Sequence, residues 1–166
     1  DDGVITYNID SSMKNKRFVD KTMAKLGNLI DDVDFVKVDG DAEIDFYAVT
    51  GFDAPFDGAT ALAYYEYDEN SNPTVDLQFD FDSIVDYLPD DNPTKKTKKN
   101  ARKYTILHEI GHAMGLEHPF DSSDGDVNDA VTGYDTRMSY DYYNVITDKK
   151  KVKKFTELDK QTISDI

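Results

Sequence analysis

The chain has three histidines in 166 residues, and all fall within eleven positions: His108, His112 and His118 in the string HEIGHAMGLEH. His108 and His112 are four residues apart. On a helix that step turns about 40° around the axis and climbs about 6 Å, so both imidazoles share one face at a separation one metal ion can bridge. Glu109 is rotated about 100° from His108. From there it is poorly aimed to be a ligand, yet it reaches a water on the ion. Gly115 permits a turn at positive φ, which swings His118 back as a third nitrogen. Three neutral imidazoles with a fourth position open make the pattern of catalytic zinc, whereas structural zinc sites close all four positions with protein ligands. A packed core histidine would explain one of these residues, not three on a helix and its return.

Composition narrows the remaining chemistry. Without cysteine there is no disulfide, no thiolate nucleophile and no sulfur-ligated zinc. Asp and Glu number 34 against 19 Lys and Arg, and the net charge of −15 disfavours nucleic acid and anionic membranes as partners. No apolar run reaches the roughly 18 residues of a membrane span. The acid is 28 Asp against 6 Glu, which reads as a turn-rich acidic surface, with calcium ligation as the alternative. An apolar content of 39% supports a folded core in one domain, 1–166, with lobes of about 1–115 and 116–166 around a cleft. The opening Asp1-Asp2-Gly3 has no basic or apolar leader, so export would rest on a segment removed from the chain or outside it.

These residues need a scaffold, and the hydrophobic pattern supplies an α+β one. Strands are expected at 4–10, 34–39, 43–50, 59–68 and 74–82, separated by Gly, Asp and Pro. Phe18, Val19, Met23, Leu26 and Ile30 recur at helical spacing and predict a helix over about 12–30. Pro89 and Pro93 break the chain before a second long helix, about 94–114, with Asn92 or Thr94 as cap and Gly115 as its left-handed stop. The basic residues of its first half (Lys95, Lys96, Lys98, Lys99, Arg102 and Lys103) read as a solvated face rather than a phosphate site, as does the run 149–154. Beyond Gly115 the chain reads as loop until Thr156-Glu157-Leu158-Asp159 opens a last helix with a capping box.

The histidine string resembles the HExxHxxGxxH signature of the metzincin zinc peptidases, which carry a Met-containing turn downstream. Arg137-Met138-Ser139-Tyr140 fits that turn. The Met-Ser-Tyr string, and Pro119 directly after His118, are most similar to the serralysins, the secreted bacterial branch. The resemblance implies a five-stranded mixed, twisted sheet with two long helices, an active-site cleft and a small irregular C-terminal lobe ending in a helix. It implies one catalytic zinc, Tyr140 as a displaceable extra ligand, and Met138 as a hydrophobic floor under the imidazoles. It also makes 59–68 an antiparallel edge strand that pairs with an extended substrate, with Ala61, Leu62 and Ala63 nearest the cleft.

The sequence departs from serralysins in three respects: the stretch between His118 and Met138 is short, and it holds neither glycine-rich calcium-binding repeats nor a propeptide, so the expectation is either an excised catalytic domain or a lineage of other architecture. Asp124, Gly125, Asp126 and Asn128 resemble the start of a calcium loop, but Asp129 stands where an EF-hand needs Gly, so a flexible acidic loop is the reading and calcium stays open without a site. The implied function is that of a secreted bacterial zinc endopeptidase, a monomeric catalytic domain by itself or within a larger chain, which cleaves internal bonds of extended polypeptides, with Glu109 as general base and acid and Tyr140 hydrogen-bonding the oxyanion. Two rivals stand beside it. One is a non-catalytic zinc module for adhesion or assembly, which gives Glu109 no use. The other is a metzincin nearer the matrix metalloproteinases, which Tyr140 and the absence of any histidine outside the motif oppose.

Overall fold

The computed structural model describes residues 3–88, 93–120, 131–140, 143–147 and 154–165. The expected cap at Asn92, the acidic stretch 124–129 and most of the basic run 149–154 lie outside them. Two compact units divide the chain, Asp1–Tyr87 and Leu88–Ile166; the sequence reading set its lobe boundary near 115.

The first unit holds one five-stranded mixed sheet: β1 (Val4–Ile9), β2 (Asp34–Lys37), β3 (Ile44–Ala48), β4 (Ala61–Tyr67) and β5 (Pro73–Phe79), in the order β2-β1-β3-β5-β4. β1 pairs in parallel with β2 and β3, β3 in parallel with β5, and β4 antiparallel with β5, which leaves β4 as an edge. Register puts Ile9, Phe46, Leu77 and Ala63 in one row across four strands. The first three are buried. The adjacent row, one residue along each strand and therefore on the opposite face, is Asn8, Asp45, Asp76 and Tyr64. There Asn8 Nδ2 donates to Asp45 at 2.9 Å and the Tyr47 hydroxyl to Asp76 at 2.7 Å. Alternation at period two thus sorts the sheet into an apolar and a polar face, as the strand patterns require.

Helix α1 (Lys16–Leu26) is shorter than expected at both ends. Asp10 folds the preceding residues into a turn, accepting from Ser12 N at 2.7 Å, and Asn15 is left-handed at φ 62°. After Leu26 the chain tightens through Leu29 N to Leu26 O at 2.8 Å. The buried Val19, Thr22, Met23 and Leu26 keep the predicted stripe. β5 also stops early, at Phe79. The Asp80 carboxylate accepts from Gly51 N, Asp82 N, Ser83 N and Ser83 Oγ, and turns the chain into a short helix, α2 (Ser83–Asp86), that the sequence pattern does not announce.

The second unit is helical. α3 (Lys95–Ala113) starts at the Thr94 cap, whose hydroxyl accepts from Thr97 N at 3.1 Å. Its basic first half is exposed or half-exposed, as a solvated face should be. α4 (Tyr143–Thr147) falls where a loop is expected; it has only five residues, too few for a readable period, but buries Val145 and Ile146 completely. α5 (Glu157–Ser164) opens with the predicted capping box: Thr156 Oγ1 accepts from Asp159 N and Asp159 Oδ2 from Thr156 N.

Candidate metal centre

α3 delivers His108, Glu109 and His112 from its last two turns, with His108 and Glu109 buried. The helix ends in a Schellman turn: Leu116 N donates to Gly111 O at 2.9 Å and Gly115 N to His112 O at 2.7 Å. Gly115 is left-handed at φ 76°, and a β-carbon there would meet nothing within 4 Å. Its requirement is conformational, not spatial. The turn sends the chain back, and His118 returns to the two helical imidazoles.

The three rings meet through their Nε2 atoms. His118 Nε2 lies 3.0 Å from His108 Nε2 and 3.1 Å from His112 Nε2. The far nitrogens of the helical pair are engaged: His108 Nδ1 donates to Arg137 O at 2.8 Å, and His112 Nδ1 to Leu116 O at 2.9 Å. A carbonyl oxygen can only accept, so both protons sit on Nδ1 and both Nε2 lone pairs face inward. Burial, together with the neighbouring His112, pushes His108 down to about 3, and burial likewise lowers His112. Both are therefore neutral ligands at neutral pH. Zinc held tetrahedrally at about 2.0–2.1 Å from nitrogen needs donors about 3.3 Å apart. The two separations from His118 match that within a few tenths of an ångström, and the donor chemistry suits the ion; His108, His112 and His118 form a zinc-binding triad.

The segment 136–140 lies against this centre. Met138 is buried, its sulfur beside Gly111 of the zinc helix. Tyr140 sets its ring 4.7 Å from the His118 ring, 5.7 Å from that of His108 and 4.8 Å from Phe120, which itself stacks on His118 at 5.1 Å and 11°. Partial burial and then the negative charge of Glu109 raise the Tyr140 pKa. Asp159 of α5 anchors the segment: its carboxylate accepts from Thr136 Oγ1, Arg137 N and Thr156 N.

The structure thus gathers His108, His112, His118, Glu109, Tyr140, Met138 and Gly115 in the second unit. Ala61, Leu62 and Ala63 belong to the first, half-buried on edge strand β4. Sequence reading missed Gly111, Tyr104, Asn100, Phe120 and the role of Asp159 toward the Met-containing turn. The four-residue spacing of Asn100, Tyr104, His108 and His112 was a usable signal, hidden among the lysines of α3.

Comparison with known proteins agrees with this centre. The family profile described as matrixin, of peptidase M10 type, matches residues 3–131. The metallopeptidase AprA of Pseudomonas marginalis is 37% identical over 95 residues, which are 51% of this chain and 18% of that protein. The chain therefore spans under a fifth of that relative's length. The structure of myroilysin superposes with a TM-score of 0.51 at 15% identity, covering 98% of this chain and 79% of that one, a likeness of fold.

Proposed function

Because the chain belongs to the matrixin family, we propose that residues 1–166 are the catalytic domain of a secreted bacterial zinc endopeptidase that hydrolyses internal peptide bonds of extended polypeptides. The observation that carries this reading is the set of three inward-facing Nε2 atoms with the buried Glu109 next to one of them on the helix. A module that only held zinc for structure would have no use for that carboxylate.

Held by His108, His112 and His118, zinc supplies Lewis acidity toward a carbonyl and toward water. Glu109 takes the proton from the attacking water and delivers it to the departing amine. Its burial beside His108 removes competing solvent and favours that transfer. Tyr140, whose ring lies against His118 and His108, donates a hydrogen bond from its hydroxyl to the oxyanion as it develops. The open edge of β4 along Ala61, Leu62 and Ala63 captures an extended peptide by strand addition. Substrate recognition is then largely main-chain in character, and the domain works as a monomer. Secretion is supported by the cysteine-free, strongly acidic composition taken together with the resemblance to the serralysins.

The test compares casein hydrolysis by the zinc-loaded wild type and by Glu109→Ala. Loss of cleavage in a variant that still binds zinc supports the reading. Equal cleavage by both removes Glu109 from its role. Absence of cleavage by either, across several substrates, favours a binding module or an enzyme missing its partner domain.

A further inference from the structure

We propose that Tyr104 is a positioning residue of the zinc centre, acting through the carbonyl of Ser139; the inference rests on the zinc reading above. Asn100, Tyr104 and His108 follow one another at four-residue steps on one face of α3, all three buried. Each donates to a backbone carbonyl: Asn100 Nδ2 to Ile146 O at 2.7 Å, the Tyr104 hydroxyl to Ser139 O at 2.7 Å, and His108 Nδ1 to Arg137 O at 2.8 Å. The last two acceptors flank Met138. Two successive turns of the zinc helix thus grip the segment on either side of that residue.

The two grips have different chemistry. His108 holds Arg137 O with the nitrogen that fixes its own tautomer. Tyr104 is not itself a ligand; it holds the carbonyl lying between Met138, whose sulfur sits at Gly111, and Tyr140, whose ring lies on His118 and His108. The hydroxyl is aimed by its ring, over which the Arg137 guanidinium lies at 5.6 Å. Releasing Ser139 O lets both neighbours drift, and with them the bond that orients His108. Outlying hydrogen bonds of this kind tune metal affinity by about tenfold or more.

Asn100 is a built-in control. It makes a bond of the same length, from the same face, at similar burial, but its acceptor Ile146 lies on α4, which carries none of the three zinc-binding histidines. Tyr104→Phe removes only the hydroxyl and keeps the ring beneath Arg137, so packing survives; circular dichroism verifies this. The zinc dissociation constant is measured by competition with a chelating chromophore, the visible spectrum after Co2+ loading, and melting in the metal-free form. The expected result is a comparable melting loss in Tyr104→Phe and Asn100→Ala, with zinc affinity about tenfold weaker and the cobalt spectrum altered only in Tyr104→Phe. Wild-type affinity and spectrum in Tyr104→Phe, or equal weakening in Asn100→Ala, overturns the proposal. A wild type that binds no zinc overturns the zinc reading itself.

Discussion

Met138 and Gly111 occupy one space between them: a β-carbon at residue 111 would lie 2.5 Å from the Met138 sulfur and 3.5 Å from its methyl carbon. Glycine inside the helix that carries two zinc ligands costs helix stability of about 1 kcal/mol, so a close approach is what keeps it there. Gly111→Ala should therefore destabilise despite the better helix former, by about 1–2 kcal/mol net, and weaken zinc binding together with it. Thermal melting and zinc titration measure both. A more stable variant with normal zinc affinity would show that Met138 can move aside freely.

Gly115 offers the opposite test, since its surroundings are open and its backbone is left-handed. Gly115→Ala should cost about 1 kcal/mol, and Gly115→Asn distinctly less, because asparagine tolerates that conformation. Unfolding in urea ranks the two, and the reverse order would mean that side-chain volume governs the site.

Asp159 is 2% exposed and serves two structures at once, the α5 cap and the turn that carries Met138. Arg137, itself buried, has its pKa lowered by burial, with electrostatic interactions with Tyr104 and Asp159 opposing that shift. Its guanidinium donates to Gly133 O and Lys154 O. Asp159→Ala leaves several buried donors without this acceptor and removes one nearby negative charge from the guanidinium. We expect a loss of about 3–5 kcal/mol, seen as a lower urea midpoint at unchanged slope. A loss under 1 kcal/mol would mean that water replaces the carboxylate.

Asp80 yields a pH prediction. The Ser83 hydroxyl and the surrounding N–H groups hold its carboxyl below the usual carboxylate range, with burial opposing. A pKa lower in the folded than in the unfolded state gives stability that is complete above the unfolded value, near 4, and is lost as pH falls through the folded value. Ser83→Ala removes the largest cause. The variant should be less stable than the wild type at pH 6, with the gap closing below about pH 4. A gap independent of pH would assign the loss to packing of α2 instead.

The zinc ligands were legible because their relationship is local. Helical geometry alone puts His108 and His112 on one face, and one glycine returns His118. The antiparallel edge strand was legible only through resemblance, since alternation does not reveal which strand is outermost. Tyr104, Gly111 and Asp159 stayed hidden because their partners lie 35, 27 and 22 residues away along the chain, and nothing in their own neighbourhood marks them. Asp159 was read as half of what it does, as a cap. The helices α2 and α4 are too short to display a period, and Asp80, which ends β5, looks from sequence like any other acidic turn residue.

Leu116 closes the zinc helix through its N–H and orients His112 through its carbonyl, so one residue both stops the helix and readies a ligand. This couples the order of assembly to the metal. A partly frayed helix end cannot present His112 in the right tautomer, and the arc from His112 to His118 is short enough that its closure costs little chain entropy. Ion capture therefore waits on the last turn of the helix, and an ion once captured locks that turn in place. Amide exchange at Gly115 and Leu116 should slow by the full factor of metal stabilisation, while the β-sheet amides of the first unit barely respond.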